Sequence, residues 1–470
     1  MAKIPLRERR WPWLLAAAVI VLAFLSTVVD LHVRGHWDTR SAGTIDDIES
    51  LRGRDDLNVL FILVDTLRAE HLGMYGYERD TSPVLDRLAA SGVRFAHHLA
   101  QSSWTKASMA SLWLARHPPR TGITRADQVI PEEAVMPAEV LRDAGFRTVG
   151  LYRNGWVAPT FGFDQGFELY QRPFNTQVPA GVRRQNPTLT DRTTDEAVVA
   201  AALEFLRLRG REQRWFLYLH MMDVHEYLYD EDSALFGSSY RDIYDSSIHW
   251  TDSVLETLLA SLAELGHLDD TLVVLTSDHG EAFSERGFGG HARKVYREET
   301  EIPLLVLFPF RLEPGVVVEA RSSNVDVWPT ILDLVGLELP GAEGRSRVPE
   351  ILASARGEAL ESEPEPSFAH LDQTWARPEQ EPMDTVAVVE GTRRYVLIEQ
   401  GAATIEQLFD ADGDPHELRD RAREDPETAA RLRELAEEFL ERRPEWDEVP
   451  TRELGELELN HLRALGYAVP

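Results

Sequence analysis

The stretch that decides the fold is NVLFILVD, residues 58–65, where an apolar run ends in an aspartate. Further runs of the same length and character follow it along the chain. They are FRTVGLY (146–152), WFLYLHMMD (215–223), TLVVLTSD (271–278) and IPLLVLF (302–308). Continuous apolar runs of this length are typical of strands that are covered on both faces.

The segments between these runs have the signals of helices. In SPVLDRLAASG, Ser82 can cap a helix, Pro83 suits its first turn and Gly92 stands just past its end. Strands that alternate with helices form parallel sheets. We therefore predict an α/β fold with a mostly parallel central sheet flanked by helices.

The composition restricts the partners. The chain has 470 residues, a net charge of −30 and no cysteine. A strongly negative surface argues against nucleic acid as a partner, and an anionic substrate must be attracted locally. The absence of cysteine excludes disulfides, thiolate metal sites and a cysteine nucleophile.

The N-terminus predicts a membrane anchor. Basic MAKIPLRERR leads into an uncharged apolar run that ends before Asp30, close to the roughly 20 residues that a membrane-spanning helix needs. The basic flank places Met1 in the cytoplasm and the body of the protein outside it. We expect a single-pass protein of a bacterial inner membrane with an extracytoplasmic, periplasmic domain. A cleaved signal peptide is the alternative.

Composition also suggests the boundaries of domains. After residue 340 the chain becomes acidic and poor in large apolar residues, and then a hairpin around Glu390-Gly391 and a charged helix form a small C-terminal α+β subdomain. The predicted organisation is a cytoplasmic tail (1–10), a transmembrane anchor (11–29), a linker (30–56), a catalytic domain (57–340), a second linker (341–366) and the C-terminal subdomain (367–470).

Several predicted strands lead into side chains that bind metals or carry protons. Asp65, the pair Asp278-His279 and His225 follow three different runs. Because ligands of parallel α/β sheets bind at the carboxyl ends of the strands, these groups should converge. Two carboxylates and an imidazole suit one divalent ion, Ca, Mn, Zn or Mg, with a coordination position left open for catalysis. His291 follows the glycine-rich GFGG, and Lys294 follows one turn later.

The ordered set of motifs resembles the sulfatase family of the alkaline-phosphatase superfamily. It comprises NVLFILVDTLRAEHLGMYGYERDTSPVLDRLAASGVRF, SWTKASMASL, TSDHGE and GGHARKVYREETEIPLLV, and it spans about residues 57–340. The resemblance implies that Asp65, Asp278 and His279 bind the metal. It also matches His225 and His291 to histidines of the family's site. Thr66 replaces a second aspartate ligand of many sulfatases, and Asn324 stands where histidine is frequent.

The family's nucleophile position is the main departure. Sulfatases oxidise a Cys or Ser in Cys/Ser-x-Pro-x-Arg to formylglycine, whereas Thr105 stands in register here and the arginine is missing. We therefore expect no formylglycine. Threonine has one hydroxyl, so its adduct must be broken by attack on sulfur or phosphorus, which favours phosphate mono- and diesters. A helix cap is the structural alternative for Thr105.

The expected mechanism assigns a role to each residue. Thr105, acidified by the metal ion and also its ligand, attacks the anionic ester. His291 or His225 protonates the leaving group and then activates the acceptor. Lys294 and Arg68 are tentative substrate contacts.

Two other functions remain open. A transferase could move a phosphoalcohol group onto an envelope glycan or lipid, although such enzymes usually have several membrane spans. A catalytically silent binding protein could also keep this scaffold, and metal content would distinguish it from an enzyme. The sequence leaves the oligomeric state open.

Overall fold

The structure, a computed structural model, describes residues 37–173, 194–229, 236–358 and 365–464. The predicted tail and anchor, residues 1–10 and 11–29, lie outside this part of the chain. Within the described ranges, none of the helices combines the length and the apolarity that a membrane span requires.

The strands and helices alternate along the first three quarters of the chain. The strands are β1 (Asn58–Val64), β2 (Val93–Phe95), β3 (His98–Leu99), β4 (Arg147–Leu151), β5 (Leu169–Gln171), β6 (Trp215–Met221), β7 (Thr271–Thr276), β8 (Ala282–Phe283), β9 (Gly289–Gly290), β10 (Leu304–Leu307), β11 (Val316–Val318), β12 (Ser322–Ser323), β13 (Ser367–Asp372), β14 (Asp384–Glu390), β15 (Arg393–Gln400) and β16 (Ala403–Asp410). The helices are α1 (Ile45–Ser50), α2 (Pro83–Ala89), α3 (Thr105–Leu114), α4 (Pro118–Thr121), α5 (Pro137–Asp143), α6 (Asp195–Arg209), α7 (Tyr240–Leu265), α8 (Arg297–Thr300), α9 (Asn324–Leu334), α10 (Val348–Arg356), α11 (Pro426–Leu440) and α12 (Glu456–Ala464).

The central sheet has eight strands in the order β11-β2-β10-β7-β1-β6-β4-β5. β7, β1, β6, β4 and β5 are parallel, and β10 runs antiparallel to both of its neighbours. The prediction of a mostly parallel central sheet flanked by helices is confirmed. IPLLVLF forms the antiparallel strand β10, a direction that an apolar run alone does not specify.

The register of the three central strands aligns their carboxyl ends. Leu63 of β1 pairs with His220 of β6 on one side and with Thr276 of β7 on the other. All seven residues of β1 are buried, because helices cover both faces of the sheet. The residues that follow β1, β6 and β7 therefore meet at one edge.

Two apolar clusters lie on opposite faces of the sheet. Phe61 belongs to the cluster that includes Trp113 of α3 and Trp328 of α9, whereas its neighbour Leu60 belongs to the cluster that includes Leu255 of α7. This alternation is the period-two geometry of a strand. It fixes α3, whose first residue is Thr105, against one face of β1.

The two segments predicted as linkers contain packed helices. Ile48 of α1 and Leu51 are each 1 % exposed, and Arg40 donates from Nη1 to the carbonyl oxygen of Phe308 at 2.8 Å. In the second segment, Ile351 of α10 is fully buried. A few apolar residues are enough to pack a helix against the body when each of them is buried in the core. The polar composition of these two segments therefore gave no sign of their helices.

The C-terminal region is built on a second, antiparallel sheet in the order β13-β14-β15-β16. The hairpin around Glu390-Gly391 joins β14 to β15, with Gly391 in the left-handed region at φ 54°. Leu432 and Phe439 of α11 pack on one face of the sheet. The sequence indicated a strand pair and one helix; β13 and β16 complete that pair into a sheet.

Candidate active site

The structure brings Asp65, Asp278 and His279 together at the carboxyl ends of β1 and β7. One ligand atom from each lies within 4.8 Å of the others. All three side chains are fully buried. Ionised carboxylates are rarely buried unless they are paired or coordinate a metal, so this arrangement indicates a cation site.

Each aspartate has one oxygen that is satisfied and one that is not. Asp65 Oδ2 accepts from Asn154 Nδ2 at 2.7 Å and from His220 Nε2 at 3.0 Å. Asp278 Oδ1 accepts from the backbone N–H groups of Thr66 and His279. Within the described residues, Asp65 Oδ1 and Asp278 Oδ2 have no hydrogen-bond donor. A divalent ion fits such a pair of unpaired oxygens.

The tautomer of His279 supports the same conclusion. Its Nδ1 lies 2.9 Å from the Gly280 carbonyl oxygen, which can only accept, so Nδ1 carries the proton. In the neutral ring, Nε2 then has a lone pair, and it lies 3.3 Å from the unpaired Asp278 Oδ2. A cation bound between these two lone pairs would remove their repulsion.

The electrostatics of the two aspartates differ. Burial raises the pKa of Asp65, but the neighbouring His225, His220 and His279 outweigh it and hold this pKa below its ordinary value. Burial and the negative charge of Asp65 raise the pKa of Asp278. A bound cation would therefore stabilise the ionised form of Asp278 more than that of Asp65.

Thr105 is the first residue of α3, and the N-cap position belongs to Trp104. The Thr105 hydroxyl lies 3.1 Å from His279 Nε2, and Asn154 Nδ2 lies 3.4 Å from the same Oγ1 atom. The helix-cap alternative is therefore wrong. The hydroxyl faces the aspartate and histidine group, and the N-terminus of α3 lies next to it.

The rings of His225 and His291 pack beside this group in tilted orientations. The ring centroid of His291 is 4.6 Å from that of His279 and 5.0 Å from that of His225. Burial lowers the pKa of His225 to about 4. Burial also acts to lower the pKa of His291, but the carboxylate of Glu281, 3.3 Å from its Nδ1, reverses this and raises it.

Sequence analysis missed three residues of the site: Asn154, His220 and Glu281. Asn154 comes three residues after β4, and its Oδ1 accepts from Trp156 N, which turns its Nδ2 towards Asp65. His220 lies inside the apolar run of β6, where histidine usually indicates a core residue. The register that places it beside Asp65 is a property of the sheet, so no local signal could have revealed it.

Arg68 is placed away from the unpaired oxygens. Its guanidinium donates to the Glu281 carbonyl oxygen and to Glu285, both at 2.7 Å, and also pairs with Glu70. It lines a separate cavity of about 380 Å³ together with Arg94 and other residues. Arg68 thus supports the chain around Glu281, and its role as a substrate contact stays a prediction.

Lys294 also has another partner. Its Nζ donates to Gln373 Oε1, at the end of β13. Burial lowers its pKa. The lysine therefore joins the loop that carries His291 to the C-terminal sheet.

Thr66 and Asn324 occupy positions where the resemblance suggested further ligands. Thr66 has a left-handed φ of 61°, and its hydroxyl donates to the Asp65 carbonyl oxygen at 2.7 Å. Asn324 accepts from His98 and donates to the Ser277 carbonyl oxygen at 3.1 Å. Both side chains have structural partners, and Asn324 supports the segment that leads to Asp278.

The family is shown by the comparison with family models. The model described as "Sulfatase" matches residues 57–337, and the model described as "N-sulphoglucosamine sulphohydrolase, C-terminal" matches residues 285–445. The chain belongs to the sulfatase family and is a hydrolase of the sulfatase type that acts on ester bonds. Enzymes of this family use a divalent metal ion, and the group formed by Asp65, Asp278 and His279 is the candidate site for it.

The individual relatives include both sulfatases and a phosphonate hydrolase. The chain is 28 % identical to the steryl-sulfatase of Mus musculus over 431 residues, covering 67 % of each chain. It is 29 % identical to human arylsulfatase A over 330 residues, covering 60 % of this chain and 65 % of the relative. The fold is similar to that of the phosphonate monoester hydrolase of Agrobacterium radiobacter, with a TM-score of 0.64, 19 % identity and coverage of 82 % and 95 %.

Proposed function

We propose that this chain is a metal-dependent hydrolase of phosphate or sulfate esters that uses Thr105 as its nucleophile, with phosphate mono- and diesters preferred. The observation that carries the proposal is the position of the Thr105 hydroxyl, 3.1 Å from His279 Nε2 and beside the unpaired oxygens of Asp65 and Asp278. A hydroxyl needs such neighbours to become a nucleophile at neutral pH.

Four groups would hold the ion: Asp65, Asp278, His279 and Thr105. A divalent ion bound there supplies a Lewis acid that favours the alkoxide of Thr105 and polarises an ester oxygen. The chain's own residues do the remaining work. Asn154 holds Asp65 and Thr105 in a fixed relation, because its Nδ2 reaches both of them. The backbone N–H groups and the helix dipole at the start of α3 favour an anion there.

The chemistry proceeds by two displacements. Thr105 Oγ1 would react as the alkoxide that a bound ion favours, its proton having passed to solvent. It forms a bond to phosphorus or sulfur while the bond to the leaving oxygen breaks, and that oxygen takes a proton from His291. Nδ1 of His291 contacts Glu281, and we assign this proton transfer to its Nε2. Water then gives a proton to the histidine and attacks the adduct, and the bond to Oγ1 breaks to restore the threonine alkoxide.

The single hydroxyl of threonine decides the preferred substrate. A formylglycine hydrate has a second hydroxyl that can expel sulfate by breaking the carbon–oxygen bond, whereas the threonine adduct must be attacked at its central atom. Phosphorus accepts such in-line attack more readily in this kind of site. The fold similarity to a phosphonate monoester hydrolase supports this preference, and the relation to steryl-sulfatase keeps sulfate esters as the second candidate.

A matched pair of variants tests the proposal. T105V removes the hydroxyl and keeps the side-chain volume, whereas T105S keeps the hydroxyl. We expect T105V to lose at least about 10³-fold in kcat, in line with the loss of a catalytic nucleophile, and T105S to retain measurable turnover. Aryl phosphate, phosphodiester, phosphonate and sulfate substrates with Mn, Zn, Mg and Ca would identify the ester and the ion. Unchanged turnover in T105V would disprove the assignment of the nucleophile.

The same assay distinguishes the two alternatives. A phosphoalcohol transferase would release product only when an alcohol acceptor is present. A silent binding protein would show no turnover with any of the four esters.

We also propose that the catalytic body is extracytoplasmic and is attached to a bacterial inner membrane by residues 11–29. The support is the basic segment before an uncharged apolar run. Protease added to spheroplasts should digest the body of the full chain and leave a cytoplasmic control protein intact. Protection of the body until the membrane is lysed would contradict this placement.

A further inference from the structure

The loop that carries His291 is held by the C-terminal region. Almost every residue after His291 in this loop has a partner there. These bonds are Trp375 Nε1 to the Ala292 carbonyl oxygen, Lys294 Nζ to Gln373, Arg394 Nη2 to the Val295 carbonyl oxygen, Tyr296 OH to Gln407 and Arg297 N to Glu417. The C-terminal region therefore determines where this loop lies.

The bond to Ala292 is the one closest to the chemistry. Ala292 has a left-handed φ of 59°, a conformation that costs a non-glycine residue of order 1–3 kcal/mol and persists only where its surroundings enforce it. Two hydrogen bonds do so. Ala292 N donates to the Ser103 carbonyl oxygen at 2.8 Å, and its own carbonyl oxygen accepts from Trp375 Nε1 at 3.2 Å.

Trp375 also contacts the segment that carries Thr105. Its ring stacks on that of Trp104, with centroids 4.4 Å apart and planes 23° apart. Trp104 is fully buried and immediately precedes Thr105, and Trp375 is 7 % exposed. The Trp375 carbonyl oxygen accepts from Ala126 N at 2.9 Å, which fixes its own backbone.

We propose that Trp375 is a positioning residue that sets the distance between Thr105 and His291. Its indole has two functions: the ring orients the segment before Thr105, and the N–H holds the strained residue after His291. The inference rests on the proposed function, because it takes Thr105 as nucleophile and His291 as the acid. A misplaced His291 should impair proton transfer to the leaving oxygen more than it impairs attack.

Leaving-group dependence therefore tests the inference. W375F keeps an aromatic ring against Trp104 and removes the N–H donor. For an alkyl ester, whose leaving oxygen needs the proton, we expect kcat to fall about tenfold, a fraction of the 10²–10⁴-fold that a general acid contributes. For a nitrophenyl ester of the same acid, which leaves without help, kcat should change less than about threefold. KM and metal affinity should stay unchanged.

Two further variants serve as control and confirmation. W215F makes the same replacement at a fully buried tryptophan at the start of β6, away from the site, whose Nε1 has no hydrogen-bond partner in the described part of the chain. This variant should affect neither ester. A292G removes the strain that the Trp375 hydrogen bond offsets, so the double variant W375F/A292G should regain part of the turnover that W375F loses on the alkyl ester.

Equal losses on both esters in W375F, no loss on either, or no recovery in W375F/A292G would overturn the role of Trp375. That outcome is separable from failure of the proposed function, because T105V reports on the nucleophile independently of Trp375.

Discussion

Two buried clusters of acidic residues lie near the same edge of the sheet, and they are neutralised in different ways. In the first, Asp65 and Asp278 face each other with one unpaired oxygen each. In the second, Asp195 and Asp223 contact Nη1 of the buried Arg153 at 2.6 and 2.5 Å, and Glu226 contacts its Nη2 at 2.7 Å. Here the chain supplies its own cation.

The difference separates a binding site from a structural one. Burial lowers the pKa of Arg153, but the neighbouring Asp195, Asp223 and Glu226 reverse this and raise it, so the guanidinium stays charged. The first cluster has histidines around it but no guanidinium or ammonium bonded to its unpaired oxygens in the described chain. Burial of carboxylates without a counter-charge is costly. We therefore expect an ion from outside the chain to complete the first cluster.

The largest expected effect is on activity, when the first cluster is altered. D278N removes a negative ligand and should lower kcat/KM at least about 10³-fold, equivalent to about 4 kcal/mol. The metal-free variant should be no less stable than the metal-free native protein, because burial and the charge of Asp65 both disfavour the ionised Asp278 carboxylate. Kinetics and thermal melting of the apo forms measure both effects. D143N, at an exposed position, is the control and should change neither.

The second cluster should respond in the opposite way. R153M leaves Asp195 and Asp223 buried without their cation, which should lower the free energy of unfolding by about 3–5 kcal/mol. Urea denaturation of the apo protein measures this loss. The control is R142M at a largely exposed arginine. An unchanged midpoint for R153M would show that the two clusters do not differ as described.

His220 tests how firmly the first cluster is held. Its Nε2 donates to Asp65 Oδ2, and its Nδ1 accepts from Tyr218 OH at 2.8 Å. Outer partners of this kind typically contribute 10–100-fold to metal affinity. We expect H220Q to weaken Mn²⁺ binding by about that factor and Y218F to weaken it less. Equal Mn²⁺ affinities of H220Q and the native protein would show that His220 does not support the metal ligands.

A third buried group, His117, has no oppositely charged partner among the described residues. It packs edge-on against Phe368 and Phe439, with Arg442 over the same rings. Burial, with a smaller contribution from Arg442, lowers the pKa of His117 to about 3. This histidine stays neutral in the folded protein, while it takes up a proton in the unfolded chain below about pH 6.5.

Its effect on stability has a defined sign. The contribution is complete above pH 6.5 and is lost as the pH falls towards 3, by about 1.4 kcal/mol per pH unit. H117F should therefore flatten the stability profile between pH 6.5 and 4.5. His98, buried with a pKa lowered to about 4, keeps part of the slope. An unchanged slope in H117F would mean that His117 is accessible to protons.

The sequence predicts the first cluster well and the second not at all. Asp65 and Asp278 follow apolar runs, and parallel strands must end at one edge, so local patterns suffice for their convergence. Thr105 was placed with them only through the family resemblance. Arg153, Asp195 and Asp223 come from three separated segments with no shared pattern. Their contacts depend on how α6 packs against β6, which no local signal encodes.

The direction in which a side chain points is the other feature that could not be predicted from the sequence. Arg68 and Lys294 stand close in the chain to site residues, yet both charged ends point to other partners, Glu285 and Gln373. Asn154 shows the opposite behaviour. Nothing in the sequence marks it as a site residue, but the hydrogen bond from Trp156 N to its Oδ1 turns its Nδ2 into the site. Spacing along the chain predicts which backbone segments meet, while hydrogen bonds decide where each side chain points.

Mn²⁺ binding would show whether a divalent ion completes the first cluster. Metal-free native protein and D278N would be titrated side by side, with bound Mn²⁺ measured at equilibrium. We expect close to one ion per native chain, with stabilisation of about 2.7 kcal/mol at one hundred times Kd, and no comparable binding in D278N. Equal binding by the two proteins, or none by either, would disprove that Asp278 binds the ion.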